Sequence, residues 1–199
     1  MTKKDYYLVT LIGFLVGCLI LLPAKNIGFN VTLAFIFVSI VGFTLFAPLA
    51  LFILKTLGKR WPVFEQFGKF AAVGTLNTLL YFAVINLLML LTDISKGSSY
   101  SIFVVLGSLI SATNSYLWNK FWTFGSRLPI SFKEIIKFVG FTLIGALINT
   151  SVASLIVNEI GAPTGVDPKL WANIGALVAV FAGFLWNFLS YRKFVFKND

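Results

Sequence analysis

Long uncharged apolar segments alternate with short charged ones along this chain of 199 residues. An α-helix rises about 1.5 Å per residue, so about 20 apolar residues cross the roughly 30 Å of hydrocarbon in a bilayer. The segments have this length, and together they predict six transmembrane helices. The six uncharged segments are 6–24, 26–54, 70–92, 97–119, 138–158 and 170–191.

These segments are apolar on all faces, which favours helices over the strands of a barrel. Backbone groups in lipid have to be hydrogen-bonded within the protein, and barrel strands show alternating polar and apolar side chains. The first segment follows Lys3 and Lys4 as in a signal peptide, but no small-residue cleavage pattern follows Pro23, so we interpret it as a retained helix. The predicted fold class is an all-α integral membrane protein.

Composition excludes a water-soluble domain and several kinds of chemistry. The chain is 58% hydrophobic and 12% charged, against about 45–50% and about 25% in soluble domains. It has no histidine, which removes histidine catalysis, and a single cysteine (Cys18), which removes an internal disulfide and a thiolate metal cluster. Its seven acidic residues leave little for carboxylate catalysis or metal binding. We therefore expect no catalytic residue, metal or cofactor, and a protein that is not an enzyme.

The net charge of +9 is unevenly distributed. With a cytoplasmic N-terminus, 13 of the 16 lysines and arginines lie on the cytoplasmic side, and the other side has only Lys25, Lys96 and Lys169. This bias is typical of cytoplasmic loops and predicts that both termini are cytoplasmic. The basic surface then faces anionic lipid headgroups, which explains the charge without nucleic acid.

A sequence repeat divides the chain into an N-terminal extension of two transmembrane helices, 1–62, and a four-helix module, 63–199. Phe64, Lys69 and Phe70 recur at an offset of 68 as Phe132, Lys137 and Phe138. Asn77, Thr78 and Phe124 recur at an offset of 72 as Asn149, Thr150 and Phe196. Each copy contains two crossings, so the two copies are predicted to be parallel repeats, as in some transporters.

Each copy of the repeat ends in a basic and aromatic sequence, 119–124 and 191–196. One interpretation is ordinary anchoring at the membrane interface, with Trp118, Trp122 and Tyr191 as interfacial aromatics. The other is that both endings bind one phosphate-bearing headgroup, because Arg forks onto phosphate oxygens and Lys supplies a mobile charge. The candidate lipid-phosphate residues are Lys120, Arg192, Lys193, Lys69 and Lys137.

Four asparagines, Asn77, Asn114, Asn149 and Asn187, lie inside the uncharged segments. An unsatisfied amide in hydrocarbon is costly, so each is expected to face another helix or a polar cavity. For any single asparagine we favour a hydrogen bond between helices, and for the group a polar groove that binds sugar hydroxyls remains the alternative. No charged residue lies in the middle of a segment, which argues against a proton-coupled carrier.

Small residues recur every four positions in three segments, a spacing that favours close packing of helices. The stripes are Gly13 with Gly17, Ala146 with Thr150 and Ser154, and Gly175 with Ala179 and Gly183.

Residues 64–199 resemble the GtrA-like family of four-helix bacterial membrane proteins. The resemblance is carried by Lys69-Phe70 with Gly74 and Asn77-Thr78, by the ending 119–124, and by Asn187 with the ending 191–196. It implies a protein of the bacterial cytoplasmic membrane that flips a polyprenyl-phosphate-linked sugar for glycosylation of cell-surface polysaccharide or teichoic acid. It also implies a membrane glycosyltransferase as partner.

The alternative is a non-transporting anchor or assembly subunit for that glycosyltransferase. Family members commonly have only the four-helix module, so the N-terminal extension leaves the choice of partner and a homo-oligomer open.

Overall fold

A computed structural model describes residues 2–59, 61, 63–166 and 168–196, except for the side chains of 97, 168–170, 172, 173 and 176. The predicted boundary residue Pro62 and the side chain of Lys169 lie outside the described residues.

The described residues form helices joined by short loops and include no strand, which confirms the all-α prediction. The α-helices are α1 (Lys3–Leu19), α2 (Leu21–Asn26), α3 (Leu33–Gly58), α4 (Val63–Thr92), α5 (Gly97–Trp118), α6 (Phe132–Ser154) and α7 (Pro168–Ser190). Three π-helical segments continue α5, α6 and α7: Asn119–Thr123, Leu155–Ile160 and Tyr191–Val195.

Five of the helical stretches in the described part of the chain are long and apolar enough to cross a membrane, and α7 adds a further helix of 23 residues. Many of their large apolar side chains face outward. Leu33, Phe37, Leu147 and Leu177 are between 66% and 85% exposed. Side chains of this kind are stable when lipid covers them, so the chain is a multi-pass membrane protein. The side of the membrane on which each terminus lies stays a prediction.

The chain forms two compact units, Met1–Thr123 and Phe124–Asp199. In the first unit α1 packs against α3 and α4, and α4 packs against α3 and α5. Its core includes Val9 and Ile12 of α1, Leu51 of α3 and Val73 of α4. The predicted N-terminal extension therefore packs directly on the first helix of the repeat.

In the second unit α6 packs against α7. Phe138 near the start of α6 contacts the rings of Tyr191 and Phe196, which follow α7, at centroid distances of 4.9 and 6.2 Å. The division at residue 62, which concerns the family module, stays a prediction.

Two of the three predicted small-residue stripes form close helix contacts. A Cβ atom on Gly17 would lie 2.6 Å from the Cα of Ile40 in α3, and one on Gly13 would meet the carbonyl oxygen of Phe43. In the second unit, a Cβ atom on Gly183 would lie 2.9 Å from the carbonyl oxygen of Gly145. The packing role of these stripes is confirmed.

The third stripe behaves differently. Ala146, Thr150 and Ser154 lie on an exposed face of α6.

We predict that Gly17→Ala destabilises the protein by about 1–3 kcal/mol, because the new methyl group has to displace backbone of α3. The measurement is the thermal unfolding midpoint of purified protein in detergent. The matched control is Gly42→Ala, where no atom lies within 4 Å of the new Cβ. There the better helix propensity of Ala leaves stability equal or slightly higher. Equal midpoints for both variants would contradict the close contact between α1 and α3.

Candidate functional site

The two repeats end in the same local structure. The π-helical segments Asn119–Thr123 and Tyr191–Val195 are each five residues long and start 72 residues apart, which is the offset of the later sequence matches. π-Helical turns are rare and frequently occur at functional sites. The repeat predicted from a few matched residues therefore has a structural counterpart in each unit.

In both units the lysine at the start of the outgoing helix contacts the π-helical segment. Lys69 Nζ lies 5.8 Å from the ring centroid of Trp122. Lys137 Nζ donates a hydrogen bond of 3.3 Å to the carbonyl oxygen of Phe194. Lys137 matches Lys69 at the offset of 68, and Phe194 matches Trp122 at the offset of 72. Each copy thus places its lysine beside the equivalent residue of its own ending.

In the first unit a carboxylate from α1 binds this lysine. Asp5 Oδ1 lies 2.7 Å from Lys69 Nζ and accepts a hydrogen bond of 2.9 Å from the indole N–H of Trp122. Asp5 Oδ2 accepts a hydrogen bond of 2.6 Å from the backbone N–H of Thr2. Asp5 is 6% exposed, and a buried carboxylate is stable only when it is paired and hydrogen-bonded in this way.

Sequence reasoning missed Asp5. Its only signal was position, since this acidic residue directly precedes the first uncharged segment.

In the second unit the equivalent region is an open basic groove of about 580 Å³. Lys133 and Lys137 of α6 line it together with Lys193 of the third π-helical segment. Stacking of the Phe194 ring on Phe141, with centroids 5.3 Å apart, holds that segment against α6. Among the described residues the structure gives these three lysines no ion pair, so their charges are available to an anion.

The groove lies at the N-terminus of α6. Ser131 Oγ caps this helix by accepting a hydrogen bond of 3.2 Å from the backbone N–H of Glu134. The N-terminal end of a helix favours negative charge, which adds to the attraction of the lysines. Glu134 also lines the groove, but it is only 8% exposed. The exposed charge of the groove is therefore positive.

The structure brings together some of the predicted phosphate ligands. Lys137 and Lys193 share the groove, and the structure adds Lys133, which is not among the predicted phosphate ligands. Arg192 is exposed on the same π-helical segment but is not among the lining residues. Lys120 is fully buried and Lys69 is paired with Asp5.

The predicted convergence of both endings on one headgroup stays a prediction, because Lys69 and Lys120 belong to one compact unit and the other candidates to the second.

The predicted asparagines differ in whether their side chains have hydrogen-bond partners. Asn114 Nδ2 donates a hydrogen bond of 2.7 Å to Asn77 Oδ1, which joins α5 to α4 as favoured for a single asparagine. Asn149 packs beside Gly183 and Asn187 against Gly145 in the second unit. Asn187 Oδ1 is buried and has no hydrogen-bond partner among the described residues. A polar groove formed by the four residues stays a prediction.

The three predicted interfacial aromatics make contacts inside their own units. Trp122 and Tyr191 are buried, and the Tyr191 hydroxyl lies 2.6 Å from Thr142 Oγ1. Trp118 packs edge-on against Trp122 with ring centroids 5.5 Å apart. Their anchoring at the membrane interface stays a prediction.

We predict that Asn77→Ala and Asn114→Ala are coupled by about 0.6 kcal/mol, with an upper limit of about 2 kcal/mol, as for hydrogen bonds between membrane helices. A double-mutant cycle of unfolding free energies in detergent measures this coupling. The control cycle pairs Asn77→Ala with Thr113→Ala, because the exposed Thr113 hydroxyl donates its hydrogen bond to Leu109 within α5. Equal coupling in both cycles would argue against the interhelical bond.

Comparison with known proteins agrees with this architecture. The family described as "GtrA/DPMS, transmembrane domain" matches residues 69–196. A Bacillus subtilis (strain 168) protein, described as "Uncharacterized membrane protein YngA", is 32% identical over 135 residues, which cover 68% of this chain and 82% of that protein. No solved structure gives a significant match. Because the matched region contains both repeats from Lys69 to the third π-helical segment, the chain belongs to the GtrA/DPMS transmembrane-domain family.

Proposed function

We propose that this protein moves a polyprenyl-phosphate-linked sugar across the cytoplasmic membrane for the glycosylation of cell-surface polysaccharide or teichoic acid. Membership of the GtrA/DPMS family fits a role in the glycosylation of polysaccharides. Proteins of this family are generally non-catalytic membrane proteins, and we assign no reaction to this chain.

The basic groove of the second unit is the observation that carries the proposal. A phosphate group offers several oxygens to ammonium donors, and charge-assisted hydrogen bonds are about twice as strong as neutral ones. Lys133, Lys137 and Lys193 line one groove, and in the proposal they donate to a single phosphate. Lys137 directly precedes the uncharged segment 138–158, so the proposal places the groove at the depth of lipid phosphates at the predicted cytoplasmic surface.

The surroundings of the groove suit an amphipathic ligand. Leu128 lines it and is 48% exposed, while Phe132 and Ile136 beside it on α6 are 78% and 54% exposed. In the proposal the prenyl chain stays in lipid next to these apolar side chains, and the phosphate binds the lysines. Asn187, whose buried Oδ1 atom has no hydrogen-bond partner among the described residues, is proposed to meet a sugar hydroxyl.

A second candidate is the non-transporting anchor for a membrane glycosyltransferase. The exposed apolar side chains at the start of α6, above all Phe132 and Ile136, favour it, because they also form a surface on which a partner helix can pack.

We predict that purified protein in proteoliposomes flips a fluorescent polyprenyl-phosphate sugar and that Lys137→Gln with Lys193→Gln lowers the rate at least about tenfold. Each charged hydrogen bond contributes about 1.5–3 kcal/mol, and 1.4 kcal/mol is a factor of ten. Lys59→Gln is the matched control, because it removes an exposed lysine from the same predicted side, at the end of α3. Equal flipping by the three proteins would contradict the groove as the phosphate site.

No flipping of several sugars by well-folded protein would favour the anchor. In that case Phe132→Ser with Ile136→Ser is expected to abolish glycosylation in cells, while the lysine substitutions leave it intact.

A further inference from the structure

We infer that Asp5 occupies the anion position of the first repeat, so that each chain has one lipid-phosphate site, in the second repeat. This inference rests on the proposed function and names which of the predicted lysines bind the substrate.

The repeat provides an internal comparison of two equivalent positions. Lys69 and Lys137 match at the offset of 68, and each contacts the π-helical segment of its own unit. The acceptor on Lys69 is a carboxylate at 2.7 Å, supplied by another helix of the same unit. The acceptor on Lys137 is a backbone carbonyl at 3.3 Å, at the edge of an open groove. Lys69 is thus paired with an anion of the protein itself, whereas the equivalent Lys137 is accessible to an external anion.

The donors around Asp5 are those that a phosphate would use. An ammonium group, an indole N–H and a backbone N–H converge on one carboxylate. Carboxylate and phosphate oxygens both accept charge-assisted hydrogen bonds from such donors. The Asp5 side chain therefore occupies the place that an external anion would take. It is supplied by α1 of the predicted N-terminal extension.

A second difference in charge separates the copies. Glu65 lies 4.0 Å from Lys69, whereas the residue that matches Glu65 at the offset of 68 is Lys133, which lines the groove. Two carboxylates, those of Asp5 and Glu65, therefore lie close to Lys69. The groove of the second unit has three lysines and one carboxylate, Glu134. Coulomb forces in these partly buried surroundings repel a phosphate from the first position and attract it to the second.

Counting bound phosphates in full-length variants tests the inference. The protein is placed in nanodiscs of uncharged phosphatidylcholine, and farnesyl phosphate bound at saturation is counted by native mass spectrometry. We expect one per chain for the wild type, two for Asp5→Asn, and one again for Asp5→Asn with Lys69→Gln. Asp5→Glu, which keeps the charge, is expected to bind one.

The variants separate this inference from the proposed function. In one outcome the wild type binds one phosphate, Lys137→Gln removes it, and Asp5→Asn gains no second one. This result would overturn the inference, but the groove would remain the phosphate site. In the opposite outcome the wild type binds no phosphate, whereas Asp5→Asn binds one that the further substitution Lys69→Gln removes. This result would support the role of Asp5 and refute the groove as the phosphate site.

Footprinting of the wild-type protein tests the same point without a variant. At ten times its dissociation constant a ligand leaves about a tenth of its sites free, so farnesyl phosphate should slow the acetylation of Lys137 about tenfold. The acetylation rate of Lys69 should stay unchanged. Equal protection of both lysines would overturn the inference. Protection of Lys137 by inorganic phosphate as strong as that by farnesyl phosphate would assign the groove to a free phosphate, and so overturn the lipid assignment.

Discussion

Hydrocarbon around a helix forces each polar group of the chain to find its partner within the protein, and the arrangement of the polar side chains follows from this constraint. Asn77 binds Asn114 between α4 and α5, and Asp5 accepts from four donors at the N-terminal end of α1. Polar groups that remain without such partners then stand out. Among the described residues, the lysines of the second-unit groove have no carboxylate partner and the buried oxygen of Asn187 has no hydrogen-bond partner, and these groups carry the functional proposal.

The two repeats show how one backbone design can serve two purposes. Each copy has a helix with a lysine in its second turn, a returning helix and a five-residue π-helical ending. The difference lies in side chains at matching positions, such as Glu65 in one copy and Lys133 in the other. A few substitutions near the ends of the helices therefore change the charge around an equivalent lysine, while the helices that cross the membrane stay alike.

Much of this fold was predictable because length and charge determine where a helix can cross a bilayer. The repeat offsets also located the two endings, although the π-helical conformation left no mark in the sequence. The site was harder to predict because its contacts join distant residues, such as Asp5 and Trp122. Burial was equally hidden, since Lys120 and Arg192 occupy matching positions, yet Lys120 is fully buried and Arg192 is exposed.

The hydrogen bond between Asp5 and Trp122 also has a consequence for biosynthesis. These residues are 117 positions apart, so at about 5–20 residues per second a ribosome needs roughly 6–23 s after making Asp5 to supply its indole partner. Until then the Asp5 carboxylate lacks one of its hydrogen-bond donors. The close contact of Gly13 and Gly17 with α3 becomes available much earlier, because α3 ends at Gly58. This glycine contact is therefore suited to hold the nascent α1 beside α3 in the membrane while the remainder of the first unit is translated.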